Sequence, residues 1–122
     1  MIYLASPYTH ESIHVMHERF CQAAYVASKL MRDHVVYSPI VHGHAIAIRN
    51  DMPKDWEFWK KHCIHMLSLA DEMWIINLKG MGSSVGVNEE LNYCMKNNKP
   101  VKIIDPLTLN INPYYYETVI SR

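Results

Sequence analysis

Ser83-Ser84-Val85-Gly86-Val87-Asn88-Glu89-Glu90 stands between an apolar run, Met73-Trp74-Ile75-Ile76, and an amphipathic stretch that continues to Lys96. The order is strand, then a loop from Lys79 to Ser84, then a helix from Val85 to Lys96. The same unit recurs on both sides. Upstream, Ile2 to Ala5 is a short buried strand stopped by Ser6-Pro7, and Ile13, Met16, Phe20, Ala23, Ala27, Leu30 and Met31 mark a helix from Glu11 to Arg32. Val35-Val36-Tyr37 is a second strand closed by Ser38-Pro39, and Ile40 to Met52 lacks a period and reads as a loop, with room for one helical turn. Trp56, Trp59, Cys63, Met66, Leu67 and Ala70 form another helical stripe, and Val101 to Ile104 is a last strand closed by Asp105-Pro106. Alternation of this kind predicts a parallel sheet of four to five strands with helices on both faces. Right-handed crossovers make a doubly wound, Rossmann-like or flavodoxin-like sheet the simplest arrangement, with residues 1–122 as one domain. Its ligand edge lies beyond the carboxyl ends of the strands. Ser6-Pro7-Tyr8, Ser38 to His44, Asn77 to Ser84 and Asp105 gather there.

Composition narrows the partners. Twelve basic and twelve acidic side chains balance, and no basic cluster stands out, so no nucleic-acid polymer is expected. No run approaches the roughly 20 apolar residues of a membrane span, and the amino-terminal segment is too short and too little basic for a signal peptide. Cys21, Cys63 and Cys94 show neither metal-site nor redox-pair spacing, which points to a reducing, cytoplasmic setting. His10, His14 and His17 follow helical spacing, but no cysteine or carboxylate completes a ligand set, so no metal is expected.

Ser84 suits a helix N-cap, and Gly86 in the first turn is tolerable where something must approach the backbone closely. A hydroxyl, free amides and the positive end of the helix dipole can receive an anion; an ordinary capped helix is the simpler reading. Val87, Glu90, Leu91 and Cys94 share one stripe, so Glu90 points where the apolar residues point, whereas Glu89 shares the wetter side with Asn92, Tyr93 and Lys96. A carboxylate on a core-facing stripe needs a reason. One is an ion pair with a buried arginine such as Arg19. The other is attack on the anomeric carbon of a bound sugar.

In order along the chain, Ile2-Tyr3-Leu4-Ala5-Ser6-Pro7-Tyr8, Ser38-Pro39-Ile40 followed by His42, Ala70-Asp71 before a strand, and Ser84-x-Gly86-Val87-x-x-Glu90 resemble the nucleoside deoxyribosyltransferase superfamily. That group includes N-glycosidases of deoxynucleoside 5′-monophosphates, and the closest likeness is to a phage and bacterial branch of unknown function. The resemblance spans about residues 2 to 104. It implies that Glu90 is the catalytic glutamate and that Tyr3 orients it. Ser84 and Gly86 would receive the 5′-phosphate, and Ser6, Pro7 and Tyr8 would line the pocket. Arg19 matches an arginine to which no role is assigned. The chain departs from the pattern at Cys63, where the family usually has an acid–base aspartate; His62, His65 or His42 could stand in for it. Asp71, at a helix–strand junction, reads as structural.

The expected function is cleavage or transfer of the N-glycosidic bond of a nucleotide, by preference a deoxynucleoside 5′-monophosphate, without a cofactor. A glycohydrolase of nicotinamide dinucleotide and a non-catalytic nucleotide-binding protein are the alternatives. His42 is expected to contact base or sugar, an unremarkable loop position being the other reading, and Trp56, Trp59 and Trp74 are assigned to the core. The aromatic tail, Tyr114-Tyr115-Tyr116, and the family likeness suggest a homodimer or larger homo-oligomer.

Overall fold

The structure, a computed structural model, describes residues 1–114. Its strands are β1 (Ile2–Ala5), β2 (Val36–Tyr37), β3 (Glu72–Ile76), β4 (Val101–Ile104) and β5 (Ile111–Pro113). The helices are α1 (Ile13–Leu30), α2 (Pro39–Arg49), α3 (Trp56–Leu69) and α4 (Val85–Lys96). One open sheet holds all five strands in the order β2-β1-β3-β4-β5. The first four are parallel, with Ile2 beside Val36 and Glu72, and Met73 beside Val101. β5 runs antiparallel to β4, Ile103 pairing with Asn112.

Side chains alternate across each strand, so β1 and β3 feed two cores. Ile2, Leu4, Trp74 and Ile76 pack with Ala23, Val26 and Leu30 of α1, and with Ile40 and Val41 of α2. Tyr3, Ala5, Met73 and Ile75 pack with Cys63 and Leu67 of α3 and with Val87 and Cys94 of α4. Every residue of β1 is buried, as expected of an inner strand of a parallel sheet.

Two sequence expectations change. Residues 40–52, read as a loop, are mostly helix: Ser38 caps α2 by accepting the Val41 N–H, and Pro39 occupies the first turn. A Ser-Pro pair that resembles a strand-ending turn is equally a cap followed by an N1 proline. Periodicity was faint because α2 buries Gly43, His44 and Ala47, a stripe of small and polar residues that leaves no apolar signature. Part of the tail read as aperiodic adds β5 to the sheet edge, while Tyr115 and Tyr116 lie outside the described residues. Element ends also tighten, since α1 begins at Ile13 behind the cap Ser12 and leaves His10 outside the helix.

Candidate active site

The order β2-β1-β3 means the chain builds outward from β1 first on one side and then on the other. Such a switch point opens a crevice beyond the carboxyl ends of the strands. A cavity of about 420 Å³ lies there, within the range of small-molecule sites. Ser6, Tyr8 and Thr9 enter it from the segment after β1, and Tyr37, Pro39 and Ile40 from the end of β2 and the start of α2. Gly43, His44 and Ala47 of α2 form one wall, and Trp56, Trp59 and Cys63 of α3 another. Ser83, Ser84, Gly86 and Glu90 approach from the start of α4.

Glu90 is buried, with only 4% of its surface exposed. The Tyr3 hydroxyl donates to its Oε2. No salt bridge among the described residues involves it. Arg19, the expected partner under the structural reading, is elsewhere: its guanidinium donates to the carbonyls of Tyr8, Thr9 and Lys79. There it ties the loop after β1 to the loop after β3. Gly80 lets it in, because this residue has φ of 92° and a Cβ would come within 2.6 Å of Arg19 Nη2. Burial pushes the Glu90 carboxyl up to about 8, against the opposing pull of the Tyr3 hydrogen bond. Burial, and next the Glu90 charge, hold Tyr3 well above the usual phenol range, so it stays a donor. Cys63 is pushed up to about 12, chiefly by burial and then by Glu90, and is therefore a neutral thiol beside the pair.

The start of α4 is built as its sequence suggests. Ser84 Oγ accepts the Val87 N–H at 3.2 Å. Gly86 also allows a close approach that sequence alone does not reveal: a Cβ there would lie 3.1 Å from Cε3 of Trp56, tighter than ordinary contact. The approaching group is an indole. Trp56 in turn donates from Nε1 to Glu89 at 2.5 Å, and Glu89 also pairs with Lys60 at 3.1 Å. Glu89 thus braces the tryptophan wall from outside, while Glu90 faces inward.

Of the remaining expected residues, Ser6 and Tyr8 line the cavity, and Tyr3 reaches it through Glu90. Pro7 is fully buried and does not line the cavity. His42 is exposed beside Tyr37, at 5.8 Å between ring centroids, while His44 one turn-face away takes the place in the wall. His62 touches the cavity and His65 does not. Asp71 pairs with the amino group of Met1 at 2.5 Å, remote from the cavity. Trp74 is core, and Trp56 and Trp59 pack against the core as expected while their other side forms cavity wall. Ser6 Oγ is buried with no hydrogen-bond partner among the described residues, an unmet polar group at the cavity. The wall position of His44 was illegible, because its helix read as a loop. No group of three or more His, Cys, Asp or Glu among the described residues is placed to hold a metal. No described helix is long and apolar enough to cross a membrane.

An α/β chain with a mostly parallel five-stranded sheet and a carboxylate cavity at its switch point is the class these features define. The chain belongs to the family described as a domain of unknown function (DUF1937), whose model matches residues 1–105. Among curated proteins, none matches the chain.

Proposed function

We propose that this protein cleaves or transfers the N-glycosidic bond of a nucleotide, with Glu90 as the nucleophile and a deoxynucleoside 5′-monophosphate as the preferred substrate. One observation carries the reading: a buried carboxylate with no cationic partner among the described residues, held by a tyrosine, opening on a cavity of about 420 Å³. Burying a carboxyl group without an ion pair is costly, and the cost is offset where its charge is used in a transition state. Glu90 would attack C1′ as the base departs, forming a glycosyl ester that water or a second base resolves. Trp56, Trp59, Tyr37 and Tyr8 supply flat surfaces for a base, and Ser84 with the α4 amides supplies donors for a 5′-phosphate. Two cores on opposite sheet faces support a doubly wound arrangement. Three free cysteines fit a reducing compartment such as the cytoplasm.

A second reading, a nucleotide-binding protein without turnover, is favoured by one feature. Cys63, a neutral thiol, stands beside Tyr3 and Glu90 where an acid–base carboxylate would assist departure of the base. Incubation of the parent protein and Glu90→Gln with deoxynucleoside monophosphates, nucleosides and nicotinamide dinucleotide, read by chromatography for free base, separates the readings. The expected result is base release from a monophosphate by the parent and none by the variant. Binding by calorimetry with no released base would favour the second reading, and release from the dinucleotide alone would redirect the assignment to that substrate.

A further inference from the structure

Ser6, Ser38, His44 and Glu90 are the buried polar or charged side chains among the described residues. Ser38 is occupied in capping α2, and the other three line the cavity. Glu90 has a place in the proposed chemistry. His44 has none so far, yet it is held as firmly. Its Nδ1 lies 2.6 Å from the Tyr8 hydroxyl, and its ring stacks on Phe20 at 4.6 Å between centroids and 28° between planes. The His17 ring lies 5.7 Å from it between centroids. If Tyr8 donates to Nδ1, the neutral ring carries its proton on Nε2; if Nδ1–H donates to Tyr8, Nε2 holds the open lone pair. In either arrangement no hydrogen bond among the described residues engages Nε2, which leaves it for a molecule in the cavity. A nitrogen base aimed by a hydrogen bond on its far side is the arrangement of an oriented acid–base group.

We propose that His44 is a second catalytic residue, which takes a proton through Nε2 from the water that resolves the glycosyl ester of Glu90, with Tyr8 as its positioning residue. The inference rests on the N-glycosidase reading. In this step the water oxygen bonds to C1′ as the bond from C1′ to the Glu90 oxygen breaks. Glu90 leaves as a carboxylate, and the water proton passes to Nε2. For Nε2 to accept that proton, the neutral ring carries its own hydrogen on Nδ1 and donates it to the Tyr8 oxygen; the phenol can serve as donor or acceptor in this pair. The imidazolium afterwards returns its proton to solvent. Three titratable groups face the ring: Tyr8 from the segment after β1, His17 from α1 and Lys54 from the segment before α3. Burial, then His17 and Lys54, lower the His44 pKa, which keeps the ring in the neutral form a base requires. The role falls to a residue that replaces, from another helix, the acid–base function missing at Cys63.

Rapid mixing of the parent, His44→Gln and Tyr8→Phe with deoxynucleoside 5′-monophosphates, read for free base, tests the assignment. His44→Gln is expected to release about one equivalent of base in a burst and then turn over roughly 100-fold more slowly, because the ester forms but is not resolved. Azide, which attacks without losing a proton, is expected to restore turnover in this variant. Tyr8→Phe is expected to show a weaker form of the same burst, and it carries the test if His44→Gln does not fold. Steady turnover within about threefold of the parent, or a loss with neither burst nor azide rescue, would overturn the role of His44 while leaving Glu90 in place. A parent that releases no base from any nucleotide would overturn the N-glycosidase reading itself, and this role with it.

Discussion

Glu89 and Glu90 are neighbours with opposite tasks. Glu90 is buried against Tyr3, while Glu89 is half-exposed and spans Trp56 and Lys60. Glu90→Gln keeps the size of the side chain and removes its charge, so turnover should fall by several orders of magnitude; Glu89→Gln still offers an oxygen to Trp56 and should stay close to the parent. Initial rates on one verified substrate measure both. The elevated Glu90 pKa adds a pH signature. A nucleophile must be ionised, so kcat/KM should rise with pH and level off above about 8. A rate that instead falls over that interval would make Glu90 a proton donor. The same shift has a consequence for stability. The folded state binds this proton more tightly than the unfolded chain, so the stabilisation is complete below the unfolded value near 4.5 and is lost as pH rises towards about 8. Denaturant titrations at pH 5 and pH 8 should therefore show Glu90→Gln gaining on the parent by a few kcal/mol at the higher pH, with a pH-independent difference counting against a buried, protonated Glu90.

At α4, capping and wall-building are separable. Ser84→Ala removes the acceptor for the Val87 N–H and should cost about 1 kcal/mol of stability. If the same helix start holds a 5′-phosphate, the parent should prefer a monophosphate over its nucleoside by roughly 1.5–3 kcal/mol, and Ser84→Ala should narrow that gap by calorimetry. Equal affinity of the parent for both would remove the phosphate subsite. Gly86→Ala improves helix propensity but drives a methyl group against an indole pinned by Glu89, so overpacking should win and thermal unfolding should occur at lower temperature. How far the sequence reveals such features depends on their chemistry. β1, β3, β4, α3 and α4 were legible because large apolar residues repeat with a clear period, and Glu90 was legible because it interrupts an apolar stripe. α2 was not, since its buried face is Gly43, His44 and Ala47, and His44 was lost from the site along with it. The partner of Gly86 was equally hidden, because Trp56 lies thirty residues earlier in sequence and meets it only through the packing of α3 on α4.

For the whole molecule, the cavity and its surroundings set the remaining expectations. Val35 is 74% exposed, Met31 61% and Tyr25 51%, three large apolar or aromatic side chains on or just beyond α1. Covering them in a homodimer through α1 is the expected assembly, and light scattering at micromolar concentration should give about twice the chain mass of 14.3 kDa. A single species at the chain mass would refute it. The central claim is chemical: Glu90 displaces the base of a bound nucleotide and takes up the sugar at C1′. Its most direct measurement is rapid acid quenching of the protein during turnover of a deoxynucleoside 5′-monophosphate, followed by intact-mass and peptide mass spectrometry. The expected result is a species heavier by one deoxyribose phosphate, with the added group on the peptide containing Glu90 and absent from Glu90→Gln. Turnover with unmodified protein at every quench time, or the adduct on another residue, would contradict it.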